Sequence, residues 1–526
     1  MGASIDSAIL ITIDSLRYDR LGITHGASDC SPVLDAMARA GQWYTRAYCN
    51  SWYTQFSFPS IMSSTMPLDF GGYDRGVALR PRTLAEALRA CGVRTAAFST
   101  DAYLNAYYGY DRGFDTFHEL FDVALLWQHV CRDYFGHDLA RLNAGTLTRA
   151  QLYERAEPIL ARLLSYMLAN AHRRETMHHG YHALHTMLFR HDPATRIAHF
   201  AREQARFVSA PRAYIDTLLT MPDVSPTTSA SFPSALAPRR WRDRLTSALG
   251  GYPAKQSLSM VDAHDVVSMA TEWIAQQGSA PSFAWLSLND VHDLNFTHRT
   301  ISPDTWRFRW RARGEGNDER LKHDLSLRFV DRAIGRLMAS LARMRRLQST
   351  LIVICADHGR TDDKTPFTGM FSDAVMRVPL IVSNPQLPSL TSAHPCALLD
   401  IAPTILAHLG HESEASFQGL PLHSTAARDR PHVVIEQLGG GPCDLYERQP
   451  LICLVGRDYK YVRSPDGRAW NNDLSATPRR GFEPVSTRNE PTNLTALRAV
   501  AEARYAKILT GTEGLANANS NARQRQ

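Results

Sequence analysis

The stretch beginning at Ala8, AILITID, constrains the fold more than any other feature of the chain. It is a short β-rich run with no polar alternation, which suits a strand buried on both faces of a parallel sheet and not one with a face in water. It stops abruptly on Asp14. The pattern returns in VRTAAFST from Val93, SFAWLSLND from Ser282 and STLIVICADHG from Ser349. Helical stretches lie between these runs. TLAEALRACG has Thr83 and Glu86 in capping-box register with Gly92 at its end, and LSLRFVDRAIGRLMASLARMRR is amphipathic. Alternating strands and helices predict an α/β fold with a large mixed, mostly parallel central sheet and helices on both faces. Ligands of such sheets bind at the C-terminal strand edges.

Residues 1–120 and 271–427 carry this alternation. Between 121 and 270 it gives way to a helical insertion or lid rich in Arg, His and Ala, interrupted by the Ser/Pro-rich MPDVSPTTSASFPSALAPRR. Residues 428–510 contain short strands and hairpins and form a small C-terminal subdomain, and the polar tail 511–526 is expected to be disordered. At 526 residues with 44% hydrophobic and 21% charged positions, the chain is a folded protein and not a small binding module. Its net charge of +6 is thinly spread, and no nucleic-acid motif accompanies it. Eight scattered cysteines without C-x-x-C or metal spacing read as reduced, mostly buried thiols. No apolar run approaches the roughly 20 residues of a membrane span, and the first is too short for a signal-peptide core. The expectation is a soluble cytoplasmic protein of unassigned oligomeric state.

Two strand ends carry chemistry: Asp14, and Asp357 with His358 in VICADHGR. Burying such charges is costly unless they are paired or bound to a cation. Two carboxylates and an imidazole meeting at one sheet edge can hold a divalent metal, and the alternative is separate helix caps or surface pairs. Two further features carry less. His178, His182 and His185 have helical spacing, but Gly180 interrupts them, which favours structural roles. QLGGGP from Gln437 lacks the frame of a phosphate loop and reads as a turn.

An ordered series of motifs resembles the sulfatase branch of the alkaline phosphatase superfamily. They are LITIDSLRYDRLG, SFPSIMSSTMP, GYDRGFDTF, NDVH at Asn289, ADHG at Ala356, RVPLIV at Arg377, LLDIAPTILAHLG, YKYVR and NEPTNL. The resemblance implies a hydrolase of sulfuric or phosphoric esters acting on a small anionic ester. It also implies one divalent metal ligated by Asp14, Asp357 and His358. A nucleophilic oxygen touching that metal comes from a C/S-x-P-x-R motif, matched here by Ser57-Phe58-Pro59-Ser60-Ile61, so Ser57 takes its place. Pro59 would help to aim Ser57 from a helix N-terminus, while capping or turn roles are favoured for Thr54 and Ser60. His292 matches the histidine that can protonate the leaving group.

The chain also departs from the family pattern. Ile61 replaces the arginine that a formylglycine-forming enzyme reads, so Ser57 is expected to stay unmodified, which tilts the chemistry from sulfate toward phosphate or phosphonate esters. STDAY replaces the family's Lys-x-His, Thr368 stands for a lysine, and Ser15 stands for a second metal-binding acid. Arg17, Arg360 or Lys364 could compensate as anion-binding cations. The donor set suits Ca²⁺ or Mn²⁺, with Zn²⁺ and Mg²⁺ as alternatives. Two other functions stay open: a transferase passing the group to an acceptor alcohol, and a non-catalytic descendant that binds an anion.

Overall fold

The computed structural model of the chain describes residues 4–25, 30–70, 76–121, 123–130, 135–172, 193–220, 261–292, 318–361, 370–437, 450–474, 482–485 and 494–508. Eight strands build the main sheet: β1 (Ser7–Ile13), β2 (Gln42–Tyr44), β3 (Arg94–Ser99), β4 (Thr116–Glu119), β5 (Ser282–Leu288), β6 (Thr350–Ala356), β7 (Leu380–Ser383) and β8 (Leu390–Ser392). Their spatial order is β8-β2-β7-β6-β1-β5-β3-β4. Only β7 runs against its neighbours, β2 and β6; the other pairings are parallel. This is the mixed, mostly parallel sheet that the apolar runs predict. Every residue of β1, β5 and β6 is buried, which is why these runs show no alternation. Each fully buried Ile or Leu among them contributes roughly 1.5–3 kcal/mol.

Helices cover the sheet in two groups. Pro32–Ala40, Ala263–Gln276 and Asp318–Arg343 pack together against β5 and β7. Thr54–Ser63, Leu84–Ala90 and Ile401–His408 pack against one another and against β3 and β6. The capping box at Thr83 and Glu86 is present. Within 121–270 the helix Arg149–Asn170 starts from a second capping box, at Thr148 and Gln151, and packs on Pro193–Ser209 and Pro211–Leu219. Among the described residues no helix is long and apolar enough to cross a membrane. His178, His182, His185 and Gly439–Gly441 lie outside the described residues, as do Lys364 and Thr368.

A separate antiparallel sheet, begun by His432–Gln437 and Leu451–Gly456, forms the C-terminal part. Its first strand bears on the main domain. Glu436 N–H donates to the Asn50 carbonyl (2.8 Å), Asn50 Nδ2 to the Val434 carbonyl (3.1 Å), and Ser51 Oγ to the Glu436 carbonyl (2.6 Å). Gln437 Oε1 accepts from Trp52 N–H at 3.3 Å. These bonds fix residues 50–52, the approach to the helix Thr54–Ser63.

Candidate active site

Strand register alone lines up a row of polar residues. Ile13 pairs with Ala356 on one side and with Leu288 on the other, while Ser99 pairs with Ser287. Asp357, Asp14 and Asn289, one residue beyond β6, β1 and β5, therefore stand side by side, with Asp101, two residues beyond β3, level with Asn289. The bond from Asp14 N–H to the Leu288 carbonyl, 2.9 Å, carries the ladder past β1. All four residues are buried.

The ligand atoms of Asp14, Asp357 and His358 lie within 4.8 Å of one another. His358 Nε2 is 3.5 Å from Asp357 Oδ2 and 3.9 Å from Asp14 Oδ1. Asp357 Oδ1 accepts two backbone N–H groups, from Ser15 (3.1 Å) and His358 (2.8 Å), whereas its buried Oδ2 has no hydrogen-bond partner. The Gly359 carbonyl, 2.7 Å from His358 Nδ1, can only accept, so Nδ1 carries the proton and Nε2 presents a lone pair to the carboxylates. Burial, and then the Asp14 charge, push the Asp357 carboxyl up to about 6. Burial opposes charge on His358, but Asp357 and Asp14 outweigh it and raise its pKa. An orphaned carboxylate oxygen facing an imidazole lone pair is the donor set of a divalent cation with one nitrogen and two oxygen ligands.

Backbone geometry around this cluster is unusual for non-glycine residues. Ser15, which donates from Oγ to Asp14 Oδ1 (2.8 Å), has φ 60°, and Tyr53 has φ 72°. Strain of this kind costs on the order of 1–3 kcal/mol and collects at functional sites. The Tyr53 ring meets His358 edge-on with centroids 6.5 Å apart. Close backbone approach holds the loop that carries His358: Gly359 N–H donates to the Val375 carbonyl at 2.7 Å, and a Cβ on Gly359 would lie 1.9 Å from the Ala374 carbonyl oxygen.

The three hydroxyls near Pro59 separate clearly. The helix begins at Thr54, three residues before Ser57, and Pro59 sits inside it and not at its start. This corrects the expected helix start, because the turn at Tyr53 opens the helix and Pro59 does not. Thr54 therefore occupies the first helical position, and its Oγ1 donates to Asp14 Oδ2 at 3.2 Å. The fully buried Ser57 donates to the backbone carbonyl of Asp357 at 2.7 Å. Ser60 donates to the Thr65 carbonyl at 2.8 Å, a local helix-end bond.

Two of the expected cations, Arg17 and Arg360, lie among the described residues. Arg17 is committed to Asp19 through two bonds (2.8 and 2.6 Å) and reaches the Arg360 carbonyl at 3.3 Å. Arg360 donates to the His292 carbonyl at 2.9 Å, joining the ends of β6 and β5. His292 is exposed, and it is the last described residue of its segment. Asp101 and Asn289, to which the motifs assign no role, stand in the same row. Asp101 Oδ2 accepts from Asn289 Nδ2 (3.0 Å) and Oδ1 from Tyr103 N–H (2.6 Å). Burial, and then Asp14, hold the Asp101 carboxyl well above the usual range. A signal for it was present, since an acid follows β3 within two residues.

The sheet order and the acid-bearing strand ends define an α/β fold of the alkaline phosphatase superfamily. Within it the chain belongs to the sulfatase family, whose model, described as Sulfatase, matches residues 7–411. A protein of the alkaline phosphatase superfamily from Vibrio parahaemolyticus has a similar fold, with TM-score 0.56 and 12% identity over 98% of this chain and 88% of that one. So has a phosphonate monoester hydrolase from Silicibacter pomeroyi, with TM-score 0.53 and 17% identity over 96% of each chain. A choline-sulfatase of Rhizobium meliloti is 32% identical over 82 residues, a match that spans 15% of this chain and 16% of that protein.

Proposed function

We propose that the chain is a metal-dependent hydrolase of phosphate or phosphonate monoesters or diesters in which Thr54, and not Ser57, is the nucleophile. One observation carries this reading: the Thr54 hydroxyl bonds the Asp14 carboxylate from the first position of its helix, while the Ser57 hydroxyl is used up on a backbone carbonyl. Asp14, Asp357 and His358 would hold one divalent ion, Mn²⁺ or Ca²⁺ suiting the two carboxylates and one imidazole best. Such an ion supplies Lewis-acid polarisation of the ester and lowers the pKa of a hydroxyl beside it.

The chain's own groups account for the remaining steps. Asp14 orients the Thr54 Oγ1–H, and the N-terminal end of the helix favours negative charge where the ester oxygens gather. Thr54 Oγ1 releases its proton to solvent and attacks phosphorus, the bond to the alcohol oxygen breaks, and the leaving oxygen takes a proton, for which His292 is the candidate donor. Water then attacks phosphorus, restoring Thr54 and releasing the acid.

Threonine also bears on sulfur against phosphorus. Formylglycine requires an unbranched Cβ that can become an aldehyde, and the Thr54 Cβ bears a methyl. A sulfated threonine lacks the second hydroxyl by which a formylglycine hydrate expels sulfate, whereas a phosphorylated one is released by water at phosphorus. Aryl phosphate, phosphonate and sulfate esters, assayed with Mn²⁺ or Ca²⁺, test the reading. Thr54→Ala should lower kcat by several decades, Thr54→Ser should retain measurable turnover, and Ser57→Ala should stay within about tenfold of wild type. Loss of turnover in Ser57→Ala with Thr54→Ala still active would contradict it.

A further inference from the structure

The short helix Asp373–Met376 is bonded to the neighbours of His358, Thr54 and Asp14 at once. Its carbonyls hold the loop after β6: Gly359 N–H donates to Val375 at 2.7 Å and Arg360 N–H to Ala374 at 3.0 Å. The Met376 carbonyl accepts Cys49 N–H at 2.9 Å, on the approach to Thr54. Arg377, the next residue, lays its guanidinium over the Tyr18 ring, 3.8 Å from the centroid, and Tyr18 stacks on Trp43. The turn after Asp14 is thereby tied to the same element. One helical turn has almost no stability of its own, so its position must be set from outside.

Lys460 reaches it from Tyr459–Arg463, the middle strand of the C-terminal sheet. Only 2% exposed, it donates from Nζ to the Phe371 carbonyl at 3.0 Å and to Asp373 Oδ1 at 2.5 Å. The ammonium also lies 5.7 Å from the ring centroid of Tyr48, whose strand Ala47–Tyr48 pairs with Arg377–Val378. Packing does not explain the charge, because an apolar side chain of similar length would fill the space without the cost of burying an ammonium. Nor does Asp373 need it, since that side chain is 34% exposed and water can reach it. We infer that Lys460 is a positioning residue: by gripping the start of this turn it places the carbonyls that hold Gly359 and Cys49, and so sets His358 against Thr54. The C-terminal sheet thereby takes part in the reaction through one ammonium that touches no substrate.

The inference rests on the metal ligand and nucleophile proposed above, and the experiment on full-length Lys460→Met separates the two. In the metal-free chain, the amides of Gly359, Arg360 and Cys49 should exchange hydrogen at least about tenfold faster than in wild type, while those of β1 and β5 keep their rates. The Mn²⁺ dissociation constant should rise about tenfold. With Mn²⁺ saturating, kcat on an aryl phosphonate should fall about tenfold, and KM should stay within about threefold. Asp373→Asn should act in the same direction, and adding it to Lys460→Met should bring no further loss, because both remove one link. Asp373→Asn also serves if Lys460→Met fails to fold. Wild-type exchange at Gly359 and Cys49, or wild-type Mn²⁺ affinity and kcat in a chain whose Tm has fallen, would make Lys460 a structural support and overturn the inference. A wild-type chain that binds no Mn²⁺ would overturn the metal site instead, while the exchange, read without metal, still decides whether Lys460 holds this turn.

Discussion

Lowering the pH should strip the metal position, and the size of the effect follows from the ligands. Asp357, pushed up to about 6 by burial and by Asp14, must lose its proton before Oδ2 can ligate. At about pH 8 the proton is already absent and costs nothing. At about pH 5 roughly nine molecules in ten carry it, so Asp357 alone weakens the apparent affinity about tenfold, about 1.4 kcal/mol. His358 acts in the same direction: its raised pKa means that the imidazole too must shed a proton to bind. The Mn²⁺ dissociation constant, measured by titration calorimetry, should therefore rise by more than one decade between these values. In Asp357→Asn the affinity should be lower at about pH 8 and its fall on acidification should be shallower.

The stability of the metal-free fold carries the opposite sign. Asp357 has a folded pKa above its ordinary 3.8, so without metal its contribution is full below about pH 3.8 and is lost as pH rises through about 6. A shift of this size corresponds to about 3 kcal/mol. Bound metal replaces what the proton supplied, so the rise in Tm on adding Mn²⁺ should grow from about pH 4 to about pH 7. A dissociation constant that stayed flat or tightened on acidification, or a Tm gain independent of pH, would refute the ligand assignment.

Two substitutions test the supports of the site. Gly359→Ala would drive a Cβ into the Ala374 carbonyl, 1.9 Å away, so the loop carrying His358 must shift; Mn²⁺ affinity should fall more than tenfold, and an unchanged affinity would show that the close approach is not needed. Arg504, on the helix spanning 494–508, binds buried Glu436 and, at 2.7 Å, buried Asp69, which Lys507 and Gln418 also hold; Arg504→Met should cost about 3–5 kcal/mol in urea unfolding by leaving the Glu436 carboxylate without its cation, and an unchanged midpoint would contradict the pairing.

The central sheet was legible because β1, β5 and β6 are covered on both faces, and double burial writes a continuous apolar run that stops where chemistry begins. Asp14, Asp357 and His358 could be read for the same reason. The letters point to Ser57 and give Thr54 a capping role because a proline favours a helix start, and the motif's proline sets the register. Nothing in the letters announces that Tyr53 turns the chain at φ 72° and opens the helix three residues before Ser57. Asp101 was visible as an acid shortly after a strand, but comparison with a motif gave it only the place of a missing lysine; the pairing of β1, β5 and β3 puts it in Asp14's row, on the far side of Asn289. The clamp from Val434, Glu436 and Gln437 onto residues 50–52 joins positions nearly 400 residues apart, and no local pattern encodes such a contact.

The most direct test of the account is to find which oxygen carries the substrate's group. Turnover of an aryl phosphonate or phosphate ester, quenched in acid and followed by proteolysis and fragment mass spectrometry across residues 47–70, should place the added phosphoryl or phosphonyl mass on Thr54, with Ser57 an unmodified serine. Added mass on Ser57, or a formylglycine at that position, would contradict the account.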